Sequence, residues 1–543
     1  MKLVQRLGHG AATVKVLAEA GVIRPMRPAR VVGVVRSLLR WGTTPAGGYT
    51  VSDIRRPDRV AIIDDRGSLT FREVQRRTNA LANAWSDIGI GAGDGVAILC
   101  RNHRGFIEAT VACSKLGAHA LYLNTMFAGP QIADVCAQER PKAIVYDHEF
   151  ADIVKEAGAH RQRFVALVEP HLPPPEDPTV DELIAGAGSE SLRPPAAQGR
   201  VVILTSGTTG TPKGAKRCPP RSLAPAAGLL SKIPLRAEEP WLIGAPLFHS
   251  WGYAHFTLGM ALGATIVLNR RFDPETTLAT IERHQATTLV VVPVMLKRIL
   301  ELPDEVIDRY DLRSLRIIGA SGSELPGPLA TEVMDRFGDV LYNLYGSTEV
   351  AWATIAQPRD LRAAPGTAGR APMGTVVALY DADGRPVEPG GVGRVFVGNE
   401  LVFEGYTGGG NKAVVDGLMA TGDVGHFDPE GRLFIDGRDD EMIVSGGENV
   451  FPREVEDLLS YHPGVLEAAV VGVPDETFGQ RLRAFVVPAA DAAPTADELK
   501  DYVRENLASF KVPRDLVFLD DLPRTATGKV LKRELVEFDG STA

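Results

Sequence analysis

Val201-Val-Ile-Leu-Thr205-Ser-Gly-Thr-Thr-Gly-Thr-Pro-Lys213-Gly214 is the stretch on which the reading of this chain turns. Residues 201–204 have the length and β-branching of a buried strand, and they run into a segment dominated by hydroxyls and glycines. Glycine lets backbone N–H groups approach phosphate oxygens, the hydroxyls add donors, and Lys213 adds a positive charge. A polyphosphate requires that chemistry. A Walker A loop needs glycine directly before the lysine; Pro212 stands there instead, which disfavours the P-loop fold.

Outward from this loop the chain alternates between short apolar runs and helical patterns. Val96-Ala-Ile-Leu, Ala120-Leu-Tyr-Leu and Ala143-Ile-Val-Tyr read as strands before the loop, with a helix over Gly105–Leu116. After it, Ala264–Leu268, Thr288–Val292 and Leu315–Gly319 continue the series. Such alternation predicts an α/β fold with doubly wound parallel sheets. From Thr375 to Gly437 the texture changes to short strands and glycine turns, a small β-rich subdomain. The last hundred or so residues mix helices (Pro452–Leu459, Thr495–Asn506) with strands (Ala468–Val473, Arg483–Val487), an α+β module. The expected organisation is a basic extension over 1–48, a large domain over 49–439 and a mobile C-terminal domain over 440–543.

Composition bounds the function. With 543 residues, 44% hydrophobic and 23% charged, the chain is a folded protein of several domains or subdomains. A net charge of −9 argues against nucleic-acid binding. Cys100, Cys113, Cys136 and Cys218 form no CxxC pair and read as buried thiols of a reducing cytoplasm. No secretory signal is evident. The longest apolar stretch, Trp251–Leu268, is nearer a buried helix than a membrane span.

Residues 1–40 carry eight Lys or Arg against one Glu. Val31, Val34, Val35, Leu38 and Leu39 fall on one helical face, with Arg30, Arg36 and Arg40 on the other. Two readings stand: the helix lies on the inner face of an anionic membrane, or its apolar side packs on the body, which is the more ordinary arrangement.

LTSGTTGTPKGAKR at 204–217 resembles the phosphate loop of the adenylate-forming superfamily, which includes acyl-CoA synthetases, peptide-synthetase adenylation domains and beetle luciferases. Further motifs follow in family order: Ala245-Pro-Leu-Phe-His249-Ser-Trp-Gly, Ile318-Gly-Ala-Ser-Gly322-Ser323-Glu324-Leu, Asn343-Leu-Tyr345-Gly346-Ser-Thr348-Glu349, Thr421-Gly-Asp423, Ile435-Asp-Gly-Arg438-Asp-Asp440 and Pro523-Arg-Thr-Ala-Thr-Gly-Lys529. The resemblance spans about residues 50–535 and is strongest to bacterial acyl-CoA synthetases of the long-chain type.

That resemblance implies roles. Thr205, Ser206, Gly207, Thr208, Thr209, Gly210, Thr211 and Lys213 grip ATP phosphates, and Gly322, Ser323 and Glu324 touch adenine and the acyl pocket. Asn343 bonds the adenine edge, Tyr345 stacks on the base beside Gly346, Thr348 binds phosphate, and Glu349 holds Mg²⁺. Asp423 and Arg438 take the ribose, His249 gates the CoA channel near the carboxylate, and Lys529 completes adenylation. Asp440 is the hinge, about which the C-terminal domain swings to present Gly446 and Gly447 to CoA. The implied reaction is ATP-dependent ligation of a carboxylic acid to coenzyme A, on a medium- or long-chain fatty acid. Alternatives are a fatty-acyl-AMP ligase serving a carrier protein, or a CoA ligase for an aryl or sterol-derived acid. A loader of amino acids is disfavoured by Phe248–Phe256, which holds no acidic residue for the amino group. A catalytically dead nucleotide-binding or tethering protein is disfavoured by the complete motif set.

Overall fold

The computed structural model describes residues 2–157, 161–205, 213–217, 220, 222–439, 441–445, 448–475, 479–489, 494–525 and 528–538. Two large sheets form the body. The eight-stranded sheet runs Thr354–Ala356, Leu341–Tyr345, Ile317–Ala320, Thr288–Val291, Pro240–Ile243, Thr265–Val267, Val60–Asp64 and Gly67–Thr70. The six-stranded sheet runs Gln162–Leu167, Ala143–Asp147, Gly95–Leu99, His119–Tyr122, Val201–Thr205 and Lys213–Arg217. Inner neighbours are parallel, and antiparallel pairs occur only at the edges. Sheets of this kind bury both faces. Val96 and Ile98 enter a core shared with Trp241 and Val290, while Ala97 and Leu99 face a second cluster with Ile144 and Val202.

The expected strands are present, with local differences. Leu315 closes a turn onto Leu312, so its strand starts at Ile317. The phosphate loop is narrower than the sequence implies: Lys213–Arg217 pairs back on Val201–Thr205, and residues 206–212 lie outside the description. A Cβ on Gly319 would meet the Trp251 ring at 3.2 Å, so this glycine makes room for the tryptophan. The β-rich region is an antiparallel sheet of Val376–Tyr380, Gly393–Gly398, Val414–Val415, Leu418–Phe427 and Leu433–Arg438. In the tail, Val465–Asp475 and Gly479–Pro488 pair antiparallel under the helices Pro452–Ser460 and Ala496–Asn506. No helix among the described residues is long and apolar enough to cross a membrane.

Three helices open the chain: α1 (Lys2–Glu19), α2 (Pro28–Trp41) and α3 (Pro45–Arg55). The boundary expected near residue 48 falls inside α3, whose Tyr49 is buried in the main core with Leu17 and Ala20 of the preceding segment. Of the apolar face read from the sequence, Val34 is half-buried and lines the cavity described below, while the other four residues stay exposed. Helix α2 instead meets α3 through Gly33, Ser37 and Trp41, and leaves Val31, Val35, Leu38 and Leu39 exposed. Close approach at Gly33, where a Cβ would lie 3.3 Å from Ile54, decides which side turns inward.

Of the thiols, Cys100, Cys113 and Cys136 are free and buried; Cys218 lies outside the description. Cys100, His103 and Asp147 converge as a metal centre would, but both ring nitrogens of His103 are engaged. Its Nε2 meets Asp147 at 2.7 Å and its Nδ1 accepts from the Gly105 N–H at the start of the helix Arg104–Leu116. This is a structural His–Asp pair.

Asn102 joins the sheets. It follows the strand Gly95–Leu99, and its amide donates to the carbonyls of Ile243 (3.2 Å) and Ala245 (3.0 Å) while its Oδ1 accepts from the Leu247 N–H at 2.8 Å. Asn102→Ala would leave those buried groups unmet. The expected loss is about 2–3 kcal/mol of unfolding free energy, read by urea denaturation with an unchanged m-value; unchanged stability would show that the seam does not depend on this amide.

Candidate active site

The strands of both sheets point their carboxyl ends at one cavity of about 1380 Å³, closed on the far side by the tail. His249, Gly322, Ser323, Glu324, Asn343 and Tyr345 line it from the eight-stranded sheet and its loops. Gly346, Thr348 and Glu349 follow on the same turn, Asp423 and Arg438 come from the β-rich sheet, and Lys529 comes from the tail. Twelve positions chosen from scattered motifs thus share one wall. For Thr205 and Lys213 the structure describes the backbone pairing of their two strands. Ser206, Gly207, Thr208, Thr209, Gly210 and Thr211 lie outside the described residues, as do Asp440, Gly446 and Gly447.

At one end sits a polar triad. The Tyr345 phenol donates to the Asp423 carboxylate and lies 3.2 Å from the Thr421 hydroxyl; Arg438 Nη1 reaches Asp423 at 3.2 Å. Burial and the Asp423 charge push the Tyr345 phenol well above its usual range, so it is a proton donor at neutral pH. Gly346 is required by its surroundings, since a Cβ there would lie 2.2 Å from the Ala351 carbonyl. Asn343 is buried beside Tyr345, and its Oδ1 has no hydrogen-bond partner among the described residues.

In the middle, Glu349 is buried and accepts from the Tyr406 hydroxyl at 2.7 Å. Arg217 donates to the Thr348 carbonyl, and burial lowers its guanidinium to about 10, against the pull of Glu349. His249 caps the helix Ser250–Leu262, and its ring lies 4.6 Å from that of Phe248. Its Nε2 finds no partner among the described residues, and burial lowers its pKa to about 4, so the ring is neutral.

Lys529 is exposed near the tip of a turn closed by the Thr525 N–H on the Lys529 carbonyl (2.8 Å) and by the bridge between Arg524 and Val530. A Cβ on Gly528 would lie 2.5 Å from Val294 of the body, so the turn fits closely only with glycine there. Ion pairs hold this placement. Glu467 of the tail pairs with Lys297 of the body and with Arg524 beside the turn, and Arg453 reaches Glu324 at 2.8 Å. The Glu324 carboxylate is therefore engaged with the tail.

Sequence reasoning assigned no individual role to Arg217, Tyr406 or Arg453. Arg217 ends the phosphate-loop string and was legible as a charge next to it. Tyr406 stands 57 residues beyond Glu349 with no motif around it, and only the fold brings its hydroxyl to that carboxylate.

Two family models match: AMP-binding enzyme over residues 52–407 and AMP-binding enzyme C-terminal domain over 454–529. The chain belongs to the AMP-binding enzyme family. It is similar to an indoleacetate–CoA ligase of Aromatoleum aromaticum, 34% identical over 88% of this chain and 95% of the relative. A fatty acid–[acyl-carrier-protein] ligase of Streptomyces coeruleorubidus is 32% identical over 88% of this chain and 93% of its own length. Among solved structures, an anthranilate CoA ligase in complex with anthranoyl-AMP superposes with a TM-score of 0.81 at 25% identity, covering 91% of this chain and 96% of that one. As an AMP-binding enzyme the protein is an ATP-dependent, AMP-forming acid–CoA ligase, with ATP, CoA and a carboxylic acid as substrates.

Buried neutral histidines in this AMP-binding enzyme set a pH dependence. His249 and His255 both have pKa values lowered to about 4 by burial, against 6.5 when unfolded. Between those values the unfolded chain binds protons that the folded one does not, so these two groups make stability fall as pH drops from about 6.5 towards 4. Urea midpoints measured across that range should slope less steeply for His255→Gln than for the parent; an identical slope would remove His255 from the balance.

Proposed function

We propose that this ligase activates a long or bulky apolar carboxylic acid, a medium- or long-chain fatty acid first, as its acyl-AMP and passes it to coenzyme A. The supporting observation is the apolar arm of the cavity. It leaves the polar end past Trp251, follows Ala254, Leu258 and Ala261 along one face of the helix Ser250–Leu262, and continues to Leu17 and Val22. Drug-sized sites hold roughly 300–1,000 Å³; here the space exceeds that, and Leu17, Val22, Val34, Leu38 and Leu258 are among its lining side chains. An aryl acid is the second reading, favoured by the indoleacetate and anthranilate substrates in the names of similar proteins.

In this reading Asp423 and Arg438 hold the ribose, and Asn343 offers its unpartnered Oδ1 to the adenine amino group. Backbone donors of residues 205–211, with Lys213 and Thr348, hold the phosphates. Glu349 has the hard carboxylate oxygens that Mg²⁺ prefers, set in the cavity wall. A bound Mg²⁺ would neutralise charge on the phosphates. The acid oxygen attacks the α-phosphorus and pyrophosphate leaves. Lys529 and Arg217 stabilise the charge that accumulates there. The neutral His249 borders the path of the thiol and leaves the carbonyl open to it. The CoA thiol then attacks the acyl carbonyl, forming the C–S bond as AMP departs. For that second step the tail, residues 440–543, swings about Asp440, withdraws Lys529 and brings Gly446 and Gly447 to the pantetheine.

Two experiments test this. Lys529→Ala is expected to slow acyl-AMP formation by about 10²–10³-fold and to spare thioester formation from supplied acyl-AMP; equal loss of both steps would contradict the role. A thioester assay over acids from acetate to palmitate, with indoleacetate and ferulate beside them, is expected to give the highest kcat/KM for the longer aliphatic acids. A maximum at an aryl acid would replace the fatty-acid reading, and AMP release without CoA consumption would replace the acceptor.

A further inference from the structure

Helix α2 turns its apolar side to solvent. Around its axis Leu38, Val31, Val35, Leu39 and Val32 fall in one continuous stripe, opposite the Gly33–Ser37–Trp41 side that meets α3. Val32 is 67% exposed and Leu39 84%. An amphipathic helix normally buries its apolar stripe, and here the buried side is instead the one with Gly33, Ser37 and Trp41.

Arg27 and Arg36 flank the stripe, one on each side, while Arg30 and Arg40 lie on the side towards the body, and all four are exposed. No acidic residue lies between Gly21 and Gly48. Arg40 donates to the Leu192 carbonyl at 2.7 Å and Arg30 to the Arg55 carbonyl at 3.3 Å, so the helix is tied to the body with its stripe outward. Ile23, in the turn before α2, adds a further exposed aliphatic side chain.

The far end of the active-site cavity lies under this helix. Leu17, Val22, Ile23, Met26, Val34 and Leu38 line it, and two of these, Ile23 and Leu38, are also open to solvent. Leu38 therefore belongs both to the cavity wall and to the exposed stripe. The apolar lining thus reaches the surface beside a helix that presents apolar and basic groups together.

From this geometry we infer that α2 docks on the surface of an anionic lipid bilayer, its valines and leucines in the acyl–headgroup boundary and its arginines on the lipid phosphates, with the mouth of the cavity facing the bilayer. Long arginine side chains reach headgroups while their stems cover apolar surface, so both edges contribute. The charge segregation fits: a strongly basic segment on a chain of net charge −9 turns one end towards an anionic surface and leaves the remainder repelled by it. The docking surface is independent of which acid is used. Only the use of the mouth as a substrate entrance rests on the fatty-acid reading above.

Sedimentation of the full chain with phosphatidylcholine vesicles, with and without phosphatidylglycerol, tests the inference. Binding is expected with the anionic vesicles and to weaken with salt. Arg27→Glu with Arg36→Glu should lower partitioning at least about tenfold, and Val32→Asp with Val35→Asp and Leu39→Asp should abolish it. None of these five side chains lines the cavity, so activity on a water-soluble acid should persist in both variants. Failure of the parent to bind anionic vesicles, or equal binding by the variants, would overturn the inference. So would a concentration-dependent dimer that the aspartate variant loses, because the stripe would then cover a second copy of this chain. An aryl-acid preference with intact vesicle binding would sink the fatty-acid reading and leave the docking standing.

Discussion

The buried amide of Asn102 sits where two parallel sheets meet, and the active-site geometry follows from that junction. A parallel sheet gathers the loops that follow its strands at one edge, and one such edge makes only an open crevice. Here the carbonyls of Ile243 and Ala245 and the N–H of Leu247, leaving one sheet, are bound by a side chain that ends a strand of the other. Water cannot substitute in a site this buried, so the two carboxyl edges stay in register. The backbone thus held leads directly to His249.

The groups around that space are arranged for charge that arrives with the substrates. Arg217 is buried deeply enough to have its affinity for a proton lowered, and Glu349 is its nearby counter-charge. Asp423 is shared by a phenol and a guanidinium. Such partly compensated groups weaken a fold and are typical of sites that must recognise an ionic ligand. The tail brings its own charge on Lys529, and its position depends on exposed or half-buried ion pairs around Glu467 and Glu324. These pairs are the described side-chain links between the tail and the body beside the cavity.

The cavity also explains why the N-terminal helices matter to an enzyme whose family match begins at residue 52. Leu17 and Ala20 are part of the main core, and Leu38 and Val34 finish the apolar arm. The segment outside the shared family model thus contributes to the lining of the same cavity.

Local sequence determined a great deal. The order of strands and helices, the β-rich insert and the α+β tail were all legible, because apolar runs bounded by glycine and proline specify elements through short-range sterics and burial. Twelve of the motif positions were legible to the extent that they line one cavity. Tertiary structure decided what depends on distant partners: the Tyr406 hydroxyl on Glu349, the diversion of Glu324 to Arg453, and the Asn102 seam. It also decided which side of α2 faces water. Periodicity placed Val31, Val35, Leu38 and Leu39 on the stripe but included the half-buried Val34 and missed Val32, and the close approach of α2 and α3 at Gly33 turned the opposite side inward. A hydrophobic pattern states that a face can be buried; only the packing of its neighbours decides whether it is.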